Sequence, residues 1–230
     1  MTVSAPIAVA LDGPNLETVV TWARSTGPFV STMKIGLETY LRDGDQAVHS
    51  VREASGGRDV FLDLKLHDIP NTVAGAARSI AHLQPTYLTV HASGGAAMIA
   101  AAVEALPETK ITAVTILTSL DEATLDSVGM RGPALDAACR LAELAVGAGA
   151  RAIVCSPQEV AAIRGVVPAE IVLITPGVRP AGAALGDQAR VATPEQALAD
   201  GADLLVIGRP ITAAEDPARA AEQLSRGLIS

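Results

Sequence analysis

Aromatic side chains make up only 2% of this 230-residue chain: two phenylalanines, two tyrosines and one tryptophan. Its core cannot rest on stacked rings, so Ala, Val, Leu and Ile must fill it, and 49% hydrophobic residues are enough to do so. Cysteine is equally scarce. Cys139 and Cys155 lack the paired spacing of a disulfide framework or zinc site, which fits a reduced, cytoplasmic setting with both as small core residues. Positive charge is in deficit: a formal net charge of -8 argues against a nucleic-acid surface, so an anionic ligand must be held by a local cluster of donors. No apolar run approaches the roughly 18 residues of a membrane span. The first apolar run stops at Asp12 with no basic segment before it, so neither membrane insertion nor a signal peptide is expected. There is no phosphate-loop lysine motif. Gly147-Ala148-Gly149 follows a helical stretch and precedes a strand, the wrong order for a dinucleotide loop.

What the chain does have is alternation. Short apolar runs at residues 7–11, 29–35, 60–65, 87–91, 111–117, 152–155, 171–175 and 204–207 read as strands. Between them lie stretches of helical periodicity, among them 16–25, 72–83, 96–106, 134–146 and 194–199. Ser156-Pro157-Gln158-Glu159 and Thr193-Pro194-Glu195-Gln196 each combine a capping box with proline at the first helical position. Gly147 to Gly149 and Gly201 stop helices before strands. Such alternation implies an α/β fold with a parallel sheet, and eight repeats match a (β/α)8 TIM barrel; a doubly wound open sheet is the alternative. No linker or composition shift divides the chain, so residues 1–230 read as one catalytic barrel domain.

In such a barrel the catalytic groups lie at the C-terminal ends of strands. Polar residues collect there: Asp12, Lys34, Asp63 with Lys65, His91, Thr118 with Ser119, Ser156, Arg179 and Arg209. The densest cluster is Phe61-Leu62-Asp63-Leu64-Lys65-Leu66-His67-Asp68-Ile69-Pro70-Asn71-Thr72-Val73. Alternation along a strand points Asp63 and Lys65 one way and Leu62, Leu64 and Leu66 the other. Pro70 opens the next helix and leaves Asp68 in the turn. Charges on a strand that otherwise reads as buried must pair. They form either a structural ion-pair network or a lysine kept charged by two carboxylates, with Lys34 as a further cation. A metal held by Asp63, Asp68 and His91 is a weaker alternative, because Lys34 and Lys65 make the site cationic. Gly208-Arg209 ends the last strand, where barrels often bind phosphate; an ordinary turn is the bland alternative. The long connection from Pro176 through Gly182 and Gly186-Asp187-Gln188 to Thr193 suits a lid over an anion, or is a plain surface excursion. His49 and His82 read as surface or core residues, and His67 and His91 are assigned no role.

These pieces together resemble the orotidine 5'-phosphate decarboxylases over almost the whole chain. The shared motifs are Ala10-Leu11-Asp12, Lys34-Ile35-Gly36, the Phe61–Thr72 run, Leu117-Thr118-Ser119, Pro176-Gly177-Val178-Arg179-Pro180, Gly186-Asp187-Gln188 and Ile207-Gly208-Arg209-Pro210. The Asp-x-Lys-x-x-Asp core is shared with related barrels; the ordered set with Lys34 and the Arg179–Gln188 connection is specific. The resemblance implies decarboxylation of orotidine 5'-monophosphate to uridine 5'-monophosphate, the last step of de novo pyrimidine synthesis, with no cofactor and no metal. It implies that Lys65 protonates C6 of the pyrimidine and that Asp63 lies beside the substrate carboxylate. Asp12 and Lys34 would contact the ribose, Thr118 and Ser119 the pyrimidine, and Gln188, Arg179, Gly208 and Arg209 the phosphate. Asp68 and Thr72 would enter the neighbouring subunit's site, making the enzyme a homodimer. Two other readings compete. A magnesium-dependent sugar-phosphate decarboxylase or synthase shares Asp63, Lys65 and Asp68 but resembles this chain less at Lys34, where it has an acidic residue. A non-catalytic nucleotide-phosphate-binding barrel would not need the intact charged set.

Overall fold

The eight apolar runs become eight parallel strands, each hydrogen-bonded to the next, and the last pairs with the first to close a barrel. The computed structural model describes residues 4–179 and 192–229. In chain order the elements are β1 (Ala5–Ala10), α1 (Leu16–Thr26), β2 (Val30–Gly36), α2 (Leu37–Ala54), β3 (Asp59–Leu66), α3 (Pro70–Ser79), β4 (Tyr87–His91), α4 (Ala96–Ala105) and β5 (Lys110–Val114). They continue with α5 (Glu122–Ser127), α6 (Ala134–Gly147), β6 (Ala152–Val154), α7 (Val160–Arg164), β7 (Val172–Pro176), α8 (Pro194–Ala199), β8 (Leu204–Ile207), α9 (Arg209–Thr212) and α10 (Pro217–Leu228). The open-sheet alternative is thereby excluded. Among the described residues no helix is long and apolar enough to cross a membrane.

Residues alternate between two cores. Ile7, Val9, Val60, Leu62, Leu88, Ile153, Leu173 and Leu205 belong to the large cluster that packs strands against helices. Their neighbours Ala8, Phe61, Tyr87, Ala152, Ile174 and Leu204 form a second cluster, and strand alternation places it on the opposite face, inside the barrel. Two of the chain's few aromatics meet there: the Phe61 and Tyr87 rings lie 5.6 Å apart at 60°, a tilted geometry favoured by ring quadrupoles. Cys155 is buried and burial pushes its thiol pKa up, so it behaves as a small apolar residue. Cys139 is only half-buried.

Local departures from simple periodicity have physical causes. β5 stops at Val114 rather than at residue 117 because β6 is only three residues long and pairs Thr112, Ala113 and Val114 alone. At Thr193 the N-cap half of the box forms, with Gln196 N–H donating to Thr193 Oγ1 at 3.2 Å, while the Gln196 side chain donates to Asp200 Oδ1 at 2.7 Å. At Ser156 the opposite half forms, the backbone N–H of Ser156 donating to Glu159 Oε2 at 2.9 Å, and helix α7 begins at Val160. The stems of the long connection after β7 are tied together by the Val178–Ala192 bridge, with Arg179 N–H donating to the Ala192 carbonyl at 3.0 Å. Gly182, Gly186, Asp187 and Gln188 lie outside the described residues.

Candidate active site

β3 is not the regular strand its alternation suggests. Leu62 pairs with Leu88 and Leu66 with Val90, so Asp63, Leu64 and Lys65 together stand opposite the single residue Thr89. This is a bulge, and within it Lys65 takes a left-handed backbone conformation with φ of 48°, uncommon for any residue with a Cβ. The bulge still turns both charged side chains of Asp63 and Lys65 toward the same cavity.

Around Asp63 the charges form a continuous row. Lys65 Nζ lies 2.7 Å from Asp63 Oδ1. Lys34 Nζ lies 3.4 Å from Asp63 Oδ2 and 3.5 Å from Asp12 Oδ2. Lys34 is only 6% exposed, so its ammonium depends on these two carboxylates; losing one partner of a buried pair typically costs 3–5 kcal/mol. Burial alone would push the Asp63 carboxyl up. The ammoniums of Lys34 and Lys65 and hydrogen bonds from Lys65 and Thr89 outweigh it and hold the group below the usual carboxylate range. The row is packed closely enough that a Cβ at Gly36 would sit 2.5 Å from Asp12 Oδ1 and 3.0 Å from Lys34 Nζ.

Two adjoining cavities open above this row and share Asp63, Pro176 and Val206 as a wall. The first, of about 200 Å³, is mainly apolar, with Phe61, Val114, Ile116 and Val154 beside Lys65 and Thr118. The second, of about 410 Å³, is lined by Asp12, Lys34, Arg179, Gly208 and Arg209. One end therefore suits a flat, largely apolar group and the other an anion. Gly177, at φ of 80°, turns the chain from β7 into the stem that carries Arg179.

Most of the residues expected at the site meet in this cleft: Asp12, Lys34, Asp63, Lys65, Thr118, Arg179, Gly208 and Arg209. Ser119 is exposed in the turn after β5 and does not line either cavity. Gln188 lies outside the described residues. Asp68 and Thr72 are exposed; within one chain the second carboxylate expected beside Lys65 is instead turned to the backbone, with Ile69 N–H donating to Asp68 Oδ1 at 2.6 Å. Among the described residues no three His, Cys, Asp or Glu side chains gather as a metal-binding group. His91, half-buried at the end of β4, has its ring 5.3 Å from that of His67. Burial, with His67 and Lys65 nearby, pushes its pKa down against the opposing pull of Asp63, which keeps the ring neutral at pH 7.

One residue of this site is not apparent from sequence. Thr89 is fully buried in β4; its hydroxyl accepts from Lys65 N–H at 2.8 Å and donates to Asp63 Oδ1 at 3.0 Å. The sequence signal is faint: Thr89 has the same strand parity as Tyr87 and His91.

Comparison with known proteins gives a consistent picture. A family model described as "Orotidine 5'-phosphate decarboxylase / HUMPS family" matches residues 5–224. A protein named orotidine 5'-phosphate decarboxylase from Thermobifida fusca is 67% identical over 227 residues, covering 98% of this chain and 96% of the relative. One of the same name from Frankia casuarinae is 53% identical over 240 residues, covering 97% and 88%. Among solved structures, the orotidine 5'-phosphate decarboxylase of Lactobacillus acidophilus superposes with a TM-score of 0.84 at 33% identity, covering 99% of this chain and 100% of that one.

Proposed function

Because the chain belongs to the orotidine 5'-phosphate decarboxylase / HUMPS family, we propose that its cleft decarboxylates orotidine 5'-monophosphate to uridine 5'-monophosphate, the closing step of pyrimidine synthesis, with Lys65 as proton donor. The observation that carries this reading is the row Asp12, Lys34, Asp63, Lys65 on the wall between an apolar cavity and a cationic one. The pyrimidine occupies the first cavity beside Lys65 and Thr118. The ribose lies against Asp12 and Lys34. The phosphate is held by Arg179, Gly208 and Arg209, with Gln188 from the connection after β7.

Carbon dioxide leaving an sp2 carbon puts its electron pair in an orbital that the ring delocalises poorly. The protein must meet that charge electrostatically, and an ammonium already fixed by Asp63 needs no reorganisation to do so. At ~4 Å and an effective dielectric of ~20, one such contact is worth about 4 kcal/mol, or roughly three decades in rate. Lys65 then delivers its proton to C6, so the carbanion is quenched by the group that stabilised it. Phosphate contacts far from C6 add remote binding energy to the same step.

Asp68 and Thr72 complete the site of a second copy, so the working enzyme is a cytoplasmic homodimer with shared active sites. Their exposure in the single chain supports this, as does Ile69 between them, an aliphatic side chain left 66% exposed. Lys34 weighs against the magnesium-dependent sugar-phosphate reading: its ammonium sits against Asp63, one of the carboxylates considered as a metal ligand, and a cation there opposes a second one. The decisive experiment incubates purified protein with orotidine 5'-monophosphate in chelator and follows loss of the orotate chromophore. Turnover without added metal is expected; turnover that requires magnesium would refute the reading.

A further inference from the structure

The bulge in β3 poses a problem that one side chain solves. Lys65 holds φ of 48°, a conformation that persists only where its surroundings over-determine it. Its N–H falls within the segment that leaves the β3–β4 ladder, between Leu62 and Leu66. Thr89 is the residue facing that segment, and its Oγ1 receives the N–H at 2.8 Å. A hydroxyl has one hydrogen to give. Since the lysine amide can only donate, the hydroxyl hydrogen is left for Asp63 Oδ1 at 3.0 Å. That oxygen also takes the Lys65 ammonium at 2.7 Å. One buried hydroxyl thus fixes both ends of the Asp63–Lys65 pair, the backbone that launches the lysine and the carboxylate that receives it.

We infer that Thr89 is a positioning residue for the proton donor: it sets the register of the bulge and the direction of the Asp63 carboxylate, and so aims Lys65 at the reacting carbon. The inference rests on the activity proposed above. Thr89 is fully buried and lines neither cavity, so its contribution belongs to the chemical step and not to nucleotide capture. Errors of about 1 Å in such a group are costly in rate.

The test compares Thr89→Val, of nearly the same shape but without the hydroxyl, with Thr89→Ser, which keeps it. For Thr89→Val we expect kcat to fall at least tenfold, KM and affinity for uridine 5'-monophosphate to change less than threefold, and the acid limb of the kcat profile to move to higher pH. The shift follows because Asp63 loses a hydrogen bond to its charged form while still facing Lys34 from β2, Lys65 from its own strand, His91 from β4 and, across Lys34, Asp12. Thr89→Ser should return kcat to within threefold of the parent. Thr89→Cys, which fills the same space with a weaker donor, is measured in parallel in case the valine protein does not fold; it should fall between the other two. A folded valine or cysteine variant with parental kcat, or a serine variant as slow as valine, overturns the role of Thr89. If the parent protein itself leaves orotidine 5'-monophosphate unchanged, the assigned activity fails instead.

Discussion

Lys65 Nζ and Asp63 Oδ1 are 2.7 Å apart, closer than either contact that Lys34 makes to Asp63 or Asp12. The short contact defines an order within the charged row. Lys34 bridges two carboxylates at a distance and is almost wholly buried, whereas the Lys65 side chain retains 30% exposure toward the cleft. The first is placed to hold the row together, the second to act on something outside it.

Lys65→Ala should lower turnover of orotidine 5'-monophosphate by roughly three decades or more, the value of one preorganised charge contact. Affinity for uridine 5'-monophosphate should remain, because Arg179 and Arg209 stand at the other cavity. Orotate absorbance gives the first quantity and calorimetric titration the second. Retained turnover would show that the proton comes from elsewhere.

Arg209→Ala removes a charged donor from the second cavity. Such contacts contribute about 1.5–3 kcal/mol, so nucleotide affinity should drop by roughly 10- to 100-fold. The loss should appear with uridine 5'-monophosphate and not with uridine. An equal loss for both ligands would place the phosphate away from Arg209.

Asp63 gives a pH signature. Its folded pKa lies below the ordinary value, so its ionisation stabilises the fold above the unfolded pKa of about 3.9, and that contribution disappears as pH falls through the lower folded value. The difference in urea midpoint between the parent and Asp63→Asn should therefore be constant from pH 7 to about 5 and shrink below about 4. A difference unchanged down to pH 3 would contradict an ionised Asp63 in the folded protein.

Shared sites can be tested by mixing. Lys65→Ala and Asp68→Ala proteins should each be nearly inactive alone. Random exchange of subunits makes about half of the dimers mixed, and each mixed dimer regains one intact site, so activity should recover to about a quarter of the parent's. No recovery after verified exchange would mean that Asp68 serves its own chain.

The strands were legible because each is an apolar run of strand length, and the site was legible because charges in such runs demand partners. Other features left no such trace. Helix α2 is interrupted at Gly44, where φ is 57° and ψ -140°, and Asp43-Gly44-Asp45 breaks the periodicity by which a helix is recognised. The bulge leaves no mark on the sequence because Asp63 and Lys65 keep a spacing that a flat strand also satisfies; only pairing with β4 exposes the extra residues. Thr89 looked like an ordinary strand threonine, since its importance lies in what it faces and not in its sequence neighbours.

The tilted pair of Phe61 and Tyr87 belongs to the core inside the barrel, and Phe61 also lines the apolar cavity. On the proposed reading the pyrimidine sits in the cavity bordered by Phe61 and the phosphate beside Arg179 and Arg209 in the other, so uridine 5'-monophosphate leaves only once those contacts let go. The same contacts would then govern both the capture of one nucleotide and the departure of the other, so a grip that is too firm at the phosphate slows the cycle after the chemistry is done.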